Sequence, residues 1–229
     1  VPDITDVLLK FIAENRAMFD AAEAVSAIVN ILGWTLGGFL IWRAWRRNGI
    51  RSVNVGPLRF QLQEEAMTAA ATAARDWQAK TGDGGVDMGR LRATVERAFD
   101  PQMTEHLIGR SILWVDDNPA NNELAMRALR KLMLDVVQVT STEAALAAMQ
   151  TRTFDLVISD MGRGSNMRAG YDLLGALRGA GNSIPFFIFS SDDRPEFRFE
   201  AKRAGAQLST NDMLELIDCT VSTLARRAA

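Results

Sequence analysis

Three aspartates carry the most concentrated chemistry in the chain. Asp116 and Asp117 follow the apolar run ILWV (112–115), and Asp160 follows FDLVIS (154–159). If both runs are strands of one parallel sheet, their carboxyl ends open on one crevice. Carboxylates gathered there repel one another and hold raised pKa values unless a cation neutralises them. An all-oxygen donor set with room for water and phosphate oxygens suits Mg2+. A further run, PFFIF (185–189), ends in Ser190 and Ser191, hydroxyls able to hold a phosphoryl oxygen. Other chemistry is scarce. The single Cys219 excludes an intramolecular disulfide, and with the single His106 it cannot build a Cys/His zinc site or a rich Cys–His or Ser–His pair. His106 lies in TEHLIGR without the long helical bundle that a phosphoaccepting histidine would need.

These acids need a scaffold, and from Ser111 onward the sequence describes one. The apolar runs ILWV, DVVQVT (135–140), FDLVIS, PFFIF and AQLST (206–210) alternate with helix-periodic stretches. The first such stretch has Leu124, Ala128, Leu129 and Leu132 on one face; the others cover about 142–150, 171–179, 194–204 and 212–227. Strands this short and this apolar, separated by helices, imply an α/β fold, a five-stranded doubly wound parallel sheet covered on both faces.

The segments ILWVDDN (112–118), FDLVISDM (154–161), IPFFIFSS (184–191) and AGA (204–206) resemble the receiver domain of bacterial response regulators, a flavodoxin-like fold, over about residues 110–227. The acidic pair, a single Asp 43 residues beyond Asp117, a Pro-led fourth strand ending in a hydroxyl and a Gly-Ala before the fifth strand fall in the family's order. The resemblance implies that Asp160 accepts a phosphoryl group from a histidine kinase or other phosphodonor. It implies Mg2+ on Asp116, Asp117, Asp160 and the main-chain carbonyl of Gly162, with Ser190, next to Ser191, in the hydroxyl position that closes on the phosphoryl. Two departures stand out. Where the family has a lysine after the fifth strand, this chain has Thr210 or Asn211, and the aromatic switch residue of that strand is also absent. The loop MGRGSNMRAGYD (161–172) is longer than usual and basic, so Arg163 and Arg168 are expected to compensate for the lysine.

The rest of the chain is of another kind. The net charge of −2 and mean hydropathy of −0.03 describe an average soluble protein, but they arise by cancellation. Residues 24–42 carry no charge, whereas 43–62 hold Arg43, Arg46, Arg47, Arg51 and Arg59 without an acid. A helix over 24–42 would cover roughly 28 Å, which suits a bilayer core. Trp34, Trp42 and Trp45 and the arginines behind them predict a single transmembrane helix with its C-terminal side cytoplasmic, in a bacterial inner membrane. Gly33 and Gly37 form a G-x-x-x-G that permits helix self-association, and hence a homo-oligomer. Residues 1–23 are expected to form an amphipathic helix. Residues 43–109 are read as a basic flank and short connector, with a hairpin over Val53–Leu62, helix formers at 63–79 and a second helix at about 86–99 bounded by Pro101.

The near-neutral charge argues against nucleic acid as a partner. Together these features predict a membrane-anchored receiver-like signalling protein, over residues 110–229, acting through contacts with a membrane or cytoplasmic protein. No output segment is expected after residue 227. The chief alternative is a pseudo-receiver kept as a scaffold. An independent phosphohydrolase is disfavoured because no separate substrate pocket can be inferred.

Overall fold

The computed structural model describes residues 56–82, 85–191 and 194–226. Its centre is a parallel sheet of β1 (Ser111–Val115), β2 (Asp135–Val139), β3 (Leu156–Ser159), β4 (Phe186–Phe189) and β5 (Leu208–Thr210), in the order β2-β1-β3-β4-β5. β1, β3 and β4 are buried along their whole length, as expected of strands covered on both faces. Side chains alternate between the faces. Ile112, Trp114, Leu156, Ile158, Phe187 and Phe189 enter one core, and Leu113, Val115, Val157, Phe186 and Ile188 the other.

Connections between the strands supply the covering helices. The first core is closed by α4 (Glu123–Lys131) and α8 (Met213–Arg226), and the second by α5 (Thr142–Thr151), α6 (Ala169–Gly179) and α7 (Pro195–Ala204). Before the sheet come α1 (Gly56–Thr81), α2 (Met88–Ala98) and α3 (Pro101–Leu107).

The expected hairpin over Val53–Leu62 is corrected by the structure. Leu58, Phe60 and Leu62 lie on α1, where Leu58 and Phe60 are exposed and only Leu62 packs on the core. Gly56-Pro57 opens the helix instead of turning a hairpin, because a missing N–H costs nothing in a first helical turn. Pro101 likewise bounds α2 and then begins α3, whose N-cap is Asp100 accepting from the Gln102 and Met103 amides.

Residue 110 is not a packing boundary. Residues 52–229 form one compact unit in which α1 lies along α4, while α2 and α3 pack on α8. Ala66, Ala70, Ala73 and Ala74 let α1 approach closely, and Leu91, Val95, Phe99 and Leu107 are buried with Leu216, Val221 and Leu224. Trp77 near the end of α1 stacks on Phe189 at 4.3 Å, and Phe189 meets Trp114 edge-on at 6.1 Å. The Trp77 indole N–H donates to the Asn211 carbonyl just beyond β5. Arg97 pairs with Asp218 at 2.9 Å and Lys131 with Glu65 at 2.6 Å, fixing register more than adding stability.

The N-terminal helix over 1–23, the 24–42 span with Gly33 and Gly37, and Val53 and Val55 lie outside the described residues. Among the described residues no helix is long and apolar enough to cross a membrane.

A shared core predicts shared unfolding. Leu91→Ala, at a fully buried position, should cost about 2–5 kcal/mol. Helical circular dichroism and tryptophan fluorescence should report one transition that shifts as a whole; separate transitions for connector and sheet would contradict the shared core.

Candidate functional site

Strand register brings the acids together. Val115 pairs with Ser159, so the next residues, Asp116 and Asp160, leave the sheet side by side. The Asp116 amide donates to the Val139 carbonyl at 3.0 Å and the Asp160 amide to Val115 at 2.9 Å, extending the ladder to the site itself. Carboxylate oxygens of Asp116, Asp117 and Asp160 all lie within 4.8 Å of one another.

Each carboxylate is held differently. Buried Asp116 accepts from the Asn118 amide at 2.7 Å and from the Asn122 side-chain amide at 2.6 Å. Asn122 closes the 3-10 turn Pro119–Asn122 and is itself buried. Sequence reasoning missed it; a polar residue six positions after Asp116, where the following helix enters the core, is the signal that could have found it. Asp117 is exposed and accepts from the Gly164 amide at 2.6 Å. Asp160 accepts from the Met161 amide at 2.8 Å.

The Asp160 carboxyl is pushed up to about 6, first by burial and then by the Asp116 charge, with a smaller push from Asp117; the Met161 amide and Arg163 pull the other way. A half-buried acid raised by like charges is what a hard cation relieves. Three carboxylates in reach of one point, with a main-chain carbonyl two residues beyond Asp160, fit Mg2+.

The loop after β3 is a tight structure. Arg163 and Asn166 exchange backbone hydrogen bonds at 2.9 and 3.0 Å, and Gly164, with φ +55°, turns the tip. Gly170 lies against the same loop: its amide donates to the Met161 carbonyl at 2.9 Å, and a Cβ there would stand 2.8 Å from the Asp160 carbonyl oxygen. Of the two expected cations, the structure brings only Arg163 to the site. Its guanidinium is buried and bonded to Ser159, Thr142 and two carbonyls. Arg168 is exposed, pairs with Glu200 and lies over the Tyr171 ring at 4.8 Å.

Ser190 follows β4, and its amide donates to the Thr210 carbonyl at 3.2 Å; Ser191 next to it is exposed. At the lysine position Thr210 is buried, with its hydroxyl donating to Glu215 and accepting from the Asp212 amide, while the Asn211 carbonyl is engaged by Trp77. The site therefore has acids at the ends of β1 and β3, a hydroxyl after β4 and no lysine after β5.

The sequence from 112 to 209 matches the response regulator receiver domain family. This segment is a receiver domain. Among solved structures, the receiver domain of Francisella response regulator 1452 is similar at 20% identity and TM-score 0.47, over 53% of this chain and 100% of its own. The chemotaxis response regulator CheY4 of Vibrio cholerae is similar at 22% identity and TM-score 0.44, over 51% and 98%. The response regulator TrrA of Thermotoga maritima, solved in complex with Mg2+-BeF, is similar at 20% identity and TM-score 0.44, over 50% and 98%. No curated protein matches the chain.

Two outcomes follow for the receiver domain. Because folding raises the Asp160 pKa from 3.8 to about 6, the folded state binds the proton more tightly, and metal-free stability should fall as pH rises from about 4 through 6. Thermal unfolding should show that decline, Asp160→Asn should remove it, and Mg2+ at pH 7.5 should offset it. Gly170→Ala should cost about 1–3 kcal/mol through overpacking against the Asp160 carbonyl. Gly175→Ala on the same helix, where a Cβ meets nothing within 4 Å, should gain up to about 1 kcal/mol in denaturant titration.

Proposed function

We propose that this chain is a membrane-anchored receiver-type signalling protein in which Asp160 is the phosphoacceptor. The observation that carries this reading is the meeting of the Asp116, Asp117 and Asp160 oxygens within 4.8 Å at the strand ends of a receiver domain. The residues that would hold Mg2+ are Asp116, Asp117, Asp160 and the carbonyl of Gly162. Bound there, the ion would neutralise charge on the transferring phosphoryl group.

The chain's own residues do the rest. The Met161 amide holds Asp160 Oδ1, so Oδ2 is the oxygen presented to phosphorus. It forms the new P–O bond as the P–N bond to a donor histidine breaks, and the leaving imidazole takes a proton. With its pKa at about 6, Asp160 is mostly ionised at neutral pH and competent to attack. Ser190, one position beyond the strand that flanks β3, offers its hydroxyl to a phosphoryl oxygen, with Ser191 as its neighbour. Partners on this reading are a histidine kinase or other phosphodonor and a membrane or cytoplasmic protein, or a second copy of the chain, that meets the modified domain.

Membrane anchoring rests on the uncharged 24–42 segment and the arginines behind it. It places the chain in a bacterial inner membrane with the receiver domain in the cytoplasm. A second reading, a pseudo-receiver that serves as a scaffold, is favoured by the end of β5, where buried Thr210 and the Trp77-bound Asn211 leave no cation.

Beryllofluoride with Mg2+ separates the two readings. An active receiver takes it up in a manner lost in Asp160→Asn, whereas a folded wild type that ignores it is a scaffold. For topology, Gln102→Cys in a Cys219→Ser background should react with a membrane-impermeant thiol reagent only after the inner membrane is opened; labelling in intact spheroplasts overturns the orientation.

A further inference from the structure

We propose that Arg163 is the positioning residue of the acidic site, clasping the loop after β3 so that the carboxylates and the Gly162 carbonyl keep the placement a divalent cation requires. The proposal rests on reading the acidic site as a Mg2+ site.

Arg163 is only 7% exposed, although arginine is seldom buried without a reason. Its guanidinium makes four hydrogen bonds to three separate segments. One terminal nitrogen donates to Ser159 Oγ at 2.7 Å and to the Asp160 carbonyl at 3.0 Å, both at the end of β3. The other donates to Thr142 Oγ1 at 2.8 Å, in the first residue of α5, and to the Ala169 carbonyl at 2.7 Å, in the first residue of α6. A planar fork can serve four acceptors in this way; an ammonium with three donors cannot.

The backbone of the same residue completes the clasp. Its pairing with Asn166 makes the hairpin whose tip amide, on Gly164, donates to Asp117. Through its side chain Arg163 holds the strand that bears Asp160, and through its backbone it holds the loop that orients an acid of β1. Gly162, whose carbonyl would face the ion, lies between Arg163 and Asp160. The charge is compensated as well: Asp160, Asp116, Asp117 and Glu143 all favour the charged guanidinium against its burial. Lysine at the end of β5 would reach the site from another strand, so Arg163 is an anchor beneath the acids and not a copy of that contact.

The test is Mg2+ affinity, measured by isothermal titration calorimetry on the 229-residue chain in nanodiscs at pH 7.5. Positioning residues behind metal ligands typically change affinity about 10–100-fold when lost. Arg163→Gln should therefore weaken Mg2+ by at least about tenfold. Arg163→Lys, which restores charge without the fork, should fall between it and wild type. Thr142→Val, which removes one acceptor, should weaken binding in the same direction, and Arg152→Gln, in an exposed pair with Asp135, should not. If Arg163→Gln fails to fold by circular dichroism, Arg163→Lys and Thr142→Val carry the comparison. Folded Arg163 variants with wild-type Mg2+ affinity overturn the proposal, since an arginine that merely stabilises the loop would change the melting temperature alone. Mg2+ binding lost in Asp160→Asn but untouched in the Arg163 variants sinks only the clasp. No Mg2+ binding by wild type, or binding indifferent to Asp160→Asn, sinks the metal site and the clasp together.

Discussion

Repulsion among Asp116, Asp117 and Asp160 is the constraint around which the receiver domain is arranged. Packing offers a folded chain no gain for bringing three carboxylates within 4.8 Å of one another; left alone, they would separate or protonate. The β1–β3 register forces two of them side by side, and the local hydrogen bonds hold all three in place. Asn122 and the Asn118 amide hold Asp116, the Gly164 amide holds Asp117, and the Met161 amide holds Asp160. Each is a donor aimed at a carboxylate, and Asp160 still remains pushed up to about 6. The donors leave an unrelieved acidic pocket, and a pocket strained in that way favours whatever brings positive charge.

The surroundings of the pocket follow from the same constraint. Carboxylates can be kept together only if the elements bearing them are rigid. β1 and β3 are buried on both faces, and the first core is deepened by α1–α3 lying over α4 and α8. Close approach is enforced where it matters most: Gly170 leaves no space for a side chain beside the Asp160 carbonyl. Small residues serve twice here, as alanines on α1 and as this glycine, each trading side-chain contact for proximity.

Much of this was legible in the sequence. The five strands and their order of acids and hydroxyls could be read because short, largely apolar runs alternating with helical periodicity have few other solutions. Helix α8 is found at Met213–Arg226 against an expected 212–227, because Leu216, Ile217, Val221 and Leu224 mark one face plainly. The connector was less readable. Alanine contributes little contrast between faces, so the buried stripe of α1 was invisible as a packing surface, and the alternation of Leu58, Phe60 and Leu62 imitated a strand although only Leu62 packs on the core. At the site, residue type identified the acids, but not the direction of the arginines: Arg163 and Arg168 look alike in a basic loop, and only the hairpin turn at Gly164 sends one inward and the other to Glu200.

The end of β5 shows how far the connector belongs to the domain. A chain of contacts leads from the Ser190 amide to the Thr210 carbonyl, along the backbone to Asn211, and from the Asn211 carbonyl to the Trp77 indole on α1. Trp77 also stacks on Phe189, the last residue of the strand that leads to Ser190. The segment that lacks a lysine is therefore braced from outside by Trp77 of α1. Because both attachments of Trp77 lie within one residue of the strand ends, the turn after β5 cannot shift relative to β4 without breaking the indole hydrogen bond or sliding the stacked rings. A shift of Ser190 relative to the turn after β5 would therefore strain the Trp77 contacts on α1.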